Sequence, residues 1–234
     1  MTADRAGGGP APERVVLGAL AQARRVAVVG CPGSGKTWLA TRLAALTGLP
    51  YVGLDDHYFD RAWQVRGPAE RWRADHEVLV QGTSWVMDGL HSTTLPDRLH
   101  RADAVVWLDY PTRVCVLGYL RRTARWRLTG RAPGYASAAD GAVRLPPDAA
   151  SFLRFILTFR RRRRPALAEL LARQGADCPV VRLTRRSQVP GLLEALTASV
   201  DSGEALTASV DSGGQGRPAR RDRRDAVAAP DDNR

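Results

Sequence analysis

Eight consecutive residues, Gly30-Cys31-Pro32-Gly33-Ser34-Gly35-Lys36-Thr37, have the types and spacing of a phosphate cradle. The pattern is glycine, four residues, then Gly-Lys-Thr, known as a P-loop. Gly30, Gly33 and Gly35 let the backbone bend so that several N–H groups, that of Ser34 among them, face phosphate oxygens. A helix starting just after the loop adds its positive end. Lys36 is suited to neutralise β- and γ-phosphates, and the Thr37 hydroxyl to ligate Mg²⁺. Of the 35 Lys and Arg residues, Lys36 is the only lysine. It occupies the one position where this chemistry uses a compact point charge.

Carboxylates and arginines supply the rest of a phosphoryl-transfer site. Asp55-Asp56 and Asp88-Gly89 each follow an apolar run. Asp55 is the candidate base that orients or deprotonates an acceptor hydroxyl, with Asp56 a turn or cap residue. Asp88 is the candidate contact to metal-bound water or acceptor. Asp109, before Tyr110-Pro111, reads as a turn residue. Arg121, Arg122 and Arg125 share helical turns and can close over a transferring phosphoryl group, Arg121 on the nucleotide side. The run Arg160 to Arg164 reads as solvated or paired rather than catalytic. The four histidines show no metal spacing. His57 lies near Asp55, although a structural role fits it better. Trp63 and Trp72 are candidates for core or for an acceptor pocket.

Positioning these residues requires strands that stop beside one another. Apolar runs at Arg25–Val29, Tyr51–Leu54, Ser84–Met87, Ala104–Leu108 and Val180–Leu183 read as five buried strands. Between and around them, helical spacing predicts helices over Arg14–Ala23, Thr37–Thr47, Pro68–Gln81, Thr94–Arg101, Thr112–Leu128 and Gln188–Val200. A long helix from Asp148 to about Arg173 should break near Pro165. This alternation implies an α/β fold, a parallel sheet covered on both faces, with ligands at the carboxyl ends of the strands. Residues 1–13 read as a disordered N-terminus and 14–203 as one domain. Within it, about 56–82 is the acceptor segment and about 121–147 a lid. Glu194–Gly203 is repeated letter for letter by Glu204–Gly213, and 204–234 reads as a disordered tail.

The net charge of +11 leaves nucleic acid, anionic surfaces and phosphorylated ligands open as partners. Residues 113–186 hold 17 arginines against Asp140, Asp148, Glu169 and Asp177, a net of +13, which leaves −2 for the rest. The excess therefore lies in the part expected to cover phosphates. No groove-reading motif accompanies it, so specific nucleic-acid binding is not expected. No apolar run suits a membrane span and no secretory signal is visible, so a cytoplasmic protein is expected, monomer or homodimer. Three cysteines far apart in sequence argue against a disulfide scaffold or zinc module.

Taken in order, these motifs resemble the adenylate-kinase-related P-loop kinases often labelled topology modulation proteins. The likeness covers about residues 24–193. It rests on Gly30–Thr37, Leu54-Asp55, Trp85–Gly89 with Ser92, Ala102-Asp103, Leu108-Asp109-Tyr110-Pro111, Arg121-Arg122-Thr123 and Phe152–Pro165. Asp55-Asp56-His57-Tyr58 is also similar to the Asp-Asp-Phe-Tyr stretch of uridine-kinase-like enzymes, where the first Asp faces the acceptor hydroxyl. Leu90-His91 stands where the group usually shows Asn-Tyr. The resemblance implies a three-layer nucleoside-monophosphate-kinase-like fold with strand order 2-3-1-4-5, ATP or GTP binding and a short lid. The function expected is a Mg²⁺-dependent phosphotransferase acting on a small molecule. Nucleotide, nucleoside, sugar and antibiotic hydroxyls all stay open as acceptor. The alternative is a nucleotide-binding regulator that contacts nucleic acid through its arginines.

Overall fold

A computed structural model describes residues 12–60, 64–129, 149–174 and 178–201. Five strands, β1 (Arg25–Gly30), β2 (Tyr51–Gly53), β3 (Trp85–Asp88), β4 (Ala104–Leu108) and β5 (Val180–Leu183), form one sheet in the order β2-β3-β1-β4-β5. All four pairings are parallel, with Val28 opposite Asp88 and Gly30 opposite Leu108 at the carboxyl end. Every residue of β3 and β4 is buried. Both faces of the sheet are therefore covered, which is why these strands read as unbroken apolar runs. Helix α1 (Pro12–Gln22) precedes β1, and α2 (Lys36–Thr47) follows the P-loop. Next come α3 (Leu54–Tyr58), α4 (Ala69–Val80) and α5 (Leu95–Arg101). Helices α6 (Thr112–Thr129), α7 (Ala149–Arg162) and α8 (Arg164–Ala172) lie between β4 and β5, and α9 (Gln188–Asp201) closes the described chain. Strand order and the placement of the P-loop between β1 and α2 are as expected. No described helix is long and apolar enough to cross a membrane.

Two expectations change. The second strand stops at Gly53, and Leu54 begins a five-residue helix. Leu54 is fully buried there, so its apolar character served the core rather than the sheet. Asp55 and Asp56 consequently sit in the first turn of α3, where the helix dipole favours negative charge. The long helix after residue 148 is two helices, broken at Arg163 because Pro165 has no N–H to bond back into α7. The expected cap Asp148, most of the expected lid, Trp63 and the 204–234 tail fall outside the described residues.

Candidate functional site

A cavity of about 1410 Å³ opens at the carboxyl ends of β1, β2 and β3. It is lined by Gly33, Ser34, Gly35, Lys36 and Thr37 of the P-loop, by Asp55 and Asp88, and by Arg121, Arg122 and Arg125 of α6. Residues far apart in sequence and expected to act together thus share one space. Gly30 is the exception. It stands behind the loop, at φ +149°, and a Cβ there would meet the Leu108 carbonyl oxygen at 2.6 Å. Its glycine is required by β4, not by a ligand.

The loop is braced from the far side by α6. A side chain at Gly33 would collide with the Cys115 carbonyl, and one at Gly118 with the Gly33 carbonyl and the Arg186 guanidinium. Helix and loop therefore touch backbone to backbone. Gly33 has φ +79° and Gly35 +97°, which set the turn. Ser34 is buried, and Lys36 Nζ donates to the Cys31 carbonyl at 3.3 Å. Cys31 and Cys115, 84 positions apart, meet across this contact, and their mutual hydrogen bond with burial pushes the Cys31 thiol up. Arg186, from the turn before α9, donates to the Gly33 carbonyl at 3.3 Å and lines the cavity. It was hidden in the sequence among 17 arginines of one segment.

Asp88 is held by hydroxyl donors. Thr37 Oγ1 donates to Asp88 Oδ2 at 2.7 Å, and the Tyr51 hydroxyl donates to Oδ1 at 2.9 Å. Burial pushes the Asp88 carboxyl up, against the pull of the Thr37 bond, and burial with Asp88 pushes the Tyr51 phenol up. A buried carboxylate that is costly to ionise fits a cation. No cluster of three His, Cys, Asp or Glu side chains suited to a metal exists among the described residues. Thr37 and Asp88 would therefore share an ion with phosphate oxygens and water, the usual arrangement for Mg²⁺.

Asp55 is arranged differently. Its side chain is 57% exposed, open to the cavity, and its Oδ1 is 2.9 Å from His91 Nε2. The partial loss of water within the cavity walls would by itself raise this carboxyl. The His91 hydrogen bond, with the charges of His91, Lys36 and Arg122, holds it below the ordinary value instead. Asp56 behind it is pushed up to about 6 by burial and by Asp55 and Asp88. The histidine paired with Asp55 is thus His91, not its sequence neighbour His57, which does not line the cavity. His91 is the one non-glycine with left-handed φ, +32°, among the described residues. Such backbone costs energy and persists where surroundings impose it. Here the imidazole packs against Tyr58 and Trp72, with centroids at 4.9 and 5.0 Å.

Beneath this loop lies Arg98, fully buried. Its Nη2 donates to the Gly89 and Leu90 carbonyls, each at 2.9 Å, which pins the backbone that carries His91. Burial pushes the Arg98 guanidinium down to about 10, opposed by Asp88 and Asp55. Its remaining nitrogens have no hydrogen-bond partner. A charge so placed costs stability unless opposite charges face it; the two site carboxylates do so.

The other strand-end carboxylate is enclosed. Arg164 grips Asp109 through two bonds of 2.7 Å, Arg182 adds Nη2 at 2.6 Å, and Arg160 stands at 3.9 Å. Burial opposes ionisation of Asp109, but the Arg164 and Arg182 bonds hold its carboxyl below the usual range. Asp109 and two members of the arginine run form a structural tie between β4, α7, α8 and β5.

No family model matches the sequence, and no curated protein matches it. Among solved structures, the chain is similar to a shikimate kinase from Acinetobacter baumannii in complex with shikimate. Identity is 16% over 80% of this chain and 98% of that one, with a TM-score of 0.46. A gluconokinase from Sinorhizobium meliloti 1021 is 15% identical over 76% of this chain and 91% of that one, with a TM-score of 0.42. A shikimate kinase from Bacteroides thetaiotaomicron is 18% identical over 76% of this chain and 99% of that one, with a TM-score of 0.43.

Proposed function

We propose that the protein is a small-molecule kinase that uses ATP or GTP and Mg²⁺ to phosphorylate a hydroxyl. The observation that carries this reading is the continuity of the cavity. One space holds the P-loop lysine, a hydroxyl–carboxylate pair suited to a metal, and a separate carboxylate that is ionised and open. Its volume exceeds the roughly 300–1,000 Å³ of a single-ligand pocket, so a nucleotide and an acceptor fit together.

In this mechanism the P-loop amides and Lys36 bind the β- and γ-phosphates. Thr37 and Asp88 would hold Mg²⁺, which supplies charge neutralisation to the phosphates when bound. Asp55 accepts the hydrogen bond of the acceptor hydroxyl, aims its oxygen at the γ-phosphorus and receives its proton. His91 fixes the Asp55 carboxylate by occupying one oxygen. Arg121, Arg122 and Arg125 stabilise the charge on the transferring group, and closure over them excludes water. Phosphoryl transfer needs mostly such positioning, so a low Asp55 pKa is compatible with its role. Of the arginines invoked for nucleic-acid binding, four line the cavity, and Arg160, Arg164 and Arg182 gather on Asp109.

The test is nucleotide consumption across nucleoside, nucleotide, sugar and antibiotic acceptors, with Lys36→Ala and Asp55→Asn as controls. Acceptor-dependent turnover lost in both variants is expected. Nucleotide binding without turnover on any acceptor would overturn the kinase reading.

A further inference from the structure

The cavity has two chemically unlike halves. On the P-loop side stand Lys36, Arg121, Arg122, Arg125 and Arg186. Beyond Asp55 the wall is made by Tyr58, Phe59, Val65 and Trp72, with His91 at the join. The rings are interlocked. Tyr58 meets Phe59 edge-on at 4.7 Å and Trp72 at 5.1 Å, and Trp72 meets His91. An interlocked set of rings is a rigid, flat-sided surface that costs little side-chain entropy to present. Among the described residues one cation lines this half, Arg73, on the same face of α4 as Ala69 and Trp72. It makes no ion pair among the described residues. The nearby Arg66 is spent on the Phe59 carbonyl at 2.7 Å and does not line the cavity.

We propose that the acceptor is an aromatic alcohol carrying one anionic group. This inference rests on the kinase reading above and narrows it. A polyhydroxylated sugar asks for a hydrogen-bonding group at each hydroxyl, because unmatched buried polar groups are costly. Tyr58, Phe59, Val65 and Trp72 meet that demand poorly, and Ser92 and Thr93 beside His91 add only two hydroxyls. A nucleoside monophosphate brings a doubly charged phosphate, which calls for a cluster of guanidinium forks. This half supplies one. A flat ring between Tyr58, Phe59 and Trp72, an anionic substituent reaching Arg73 and a hydroxyl at Asp55 use the rings, the cation and the carboxylate together. In the reaction the hydroxyl oxygen bonds to the γ-phosphorus of the nucleoside triphosphate. The bond from that phosphorus to the β,γ-bridging oxygen breaks. The hydroxyl proton passes to Asp55, leaving a phosphate ester and a nucleoside diphosphate.

The experiment measures kcat/KM of the full chain with ATP and Mg²⁺ on four probes: 4-(hydroxymethyl)benzoate, benzyl alcohol, glucose and adenosine monophosphate. The aromatic acid should be turned over best, with benzyl alcohol lower by roughly tenfold for want of one charge-assisted contact. Arg73→Gln should narrow the gap between those two probes. Arg73 is exposed on its helix, so this variant folds where Trp72→Ala, which removes a core ring, need not. Preference for glucose or adenosine monophosphate, lost in Lys36→Ala, would overturn the acceptor class while leaving the kinase reading intact. Equal use of benzyl alcohol and its acid, or a gap untouched by Arg73→Gln, would overturn the anionic group. No turnover of any of the four probes above basal hydrolysis would overturn the acceptor class, while the kinase reading would still rest on the wider acceptor screen.

Discussion

Asp88 ends β3 and Asp109 follows β4, both within the buried end of one sheet, at 5% and 7% exposure. In sequence they look alike, an aspartate after an apolar run. In the structure they have opposite surroundings. Asp109 is saturated by guanidinium groups from Arg164 and Arg182 and ties four elements together. Asp88 receives two neutral hydroxyl bonds and, among the described residues, no guanidinium hydrogen bond, and its carboxyl stays costly to ionise. Asp55 is a third case: His91, Lys36 and Arg122 hold its carboxyl down, and it is its opening to the cavity that leaves it available. A carboxylate already neutralised by the fold is structure; one that the fold leaves short of charge is available for a ligand.

The sharpest way to break this contrast is to remove charge at each position. Asp88→Asn should lower turnover by about a hundredfold to a thousandfold, as loss of a main electrostatic contact does. Its urea midpoint should change little, because relief of a buried carboxylate is offset by loss of a charge facing the buried Arg98. A large loss of stability would place Asp88 with Asp109. Asp109→Asn should do the reverse. It strands two guanidinium groups and should cost about 2–3 kcal/mol in urea unfolding, less than for a fully buried pair because Arg182 is half exposed. Turnover measured in the cold, where the variant stays folded, should persist. A smaller effect, about tenfold on kcat, is expected for His91→Gln. Since His91 holds the Asp55 carboxyl down, its removal should also move the acid limb of the pH–rate profile to higher pH. A drop in kcat with an unmoved limb would mean His91 is only scaffold.

The gentlest test uses pH. Asp109 has a depressed carboxyl, so its contribution is present above the ordinary carboxylate pKa and lost as pH falls through the folded value. The stability gap between the parent and Asp109→Asn should therefore shrink from neutral pH to about pH 3. Asp88, with a raised carboxyl, has the opposite sign. Its cost at neutral pH is relieved on acidification, so the parent should gain on Asp88→Asn as pH falls. Gaps that move together would remove the distinction drawn here.

The alternation of strands and helices, the phosphate cradle and the grouping of Asp55, Asp88 and the α6 arginines were legible in local patterns: apolar runs, glycine spacing, a residue after an apolar run, or helical spacing. Strand order came from the family resemblance alone. What was illegible depends on approach across the fold. His57 is two residues from Asp55, yet His91, 36 positions away, makes the bond because a left-handed backbone at φ +32° turns it inward. Leu90-His91 in place of the expected pair was the only signal, a departure with no direction attached. Arg98 and Arg186 were invisible among so many arginines, since burial and a carbonyl partner leave no mark on composition. Tyr51 looked like a strand residue, and its hydroxyl bond to Asp88 follows only from parallel pairing of β2 with β3.

The backbone contact between Gly118 and the P-loop has a consequence for anyone seeking a sturdier protein. Replacing a helical glycine by alanine commonly stabilises by about 1 kcal/mol. Gly18 in α1 and Gly191 in α9 have open space where a methyl group would go, so both suit that replacement. Gly118 does not, because its methyl would overlap the Gly33 carbonyl. Thermostabilisation by helix propensity can proceed at the two ends of the domain and must stop at its centre.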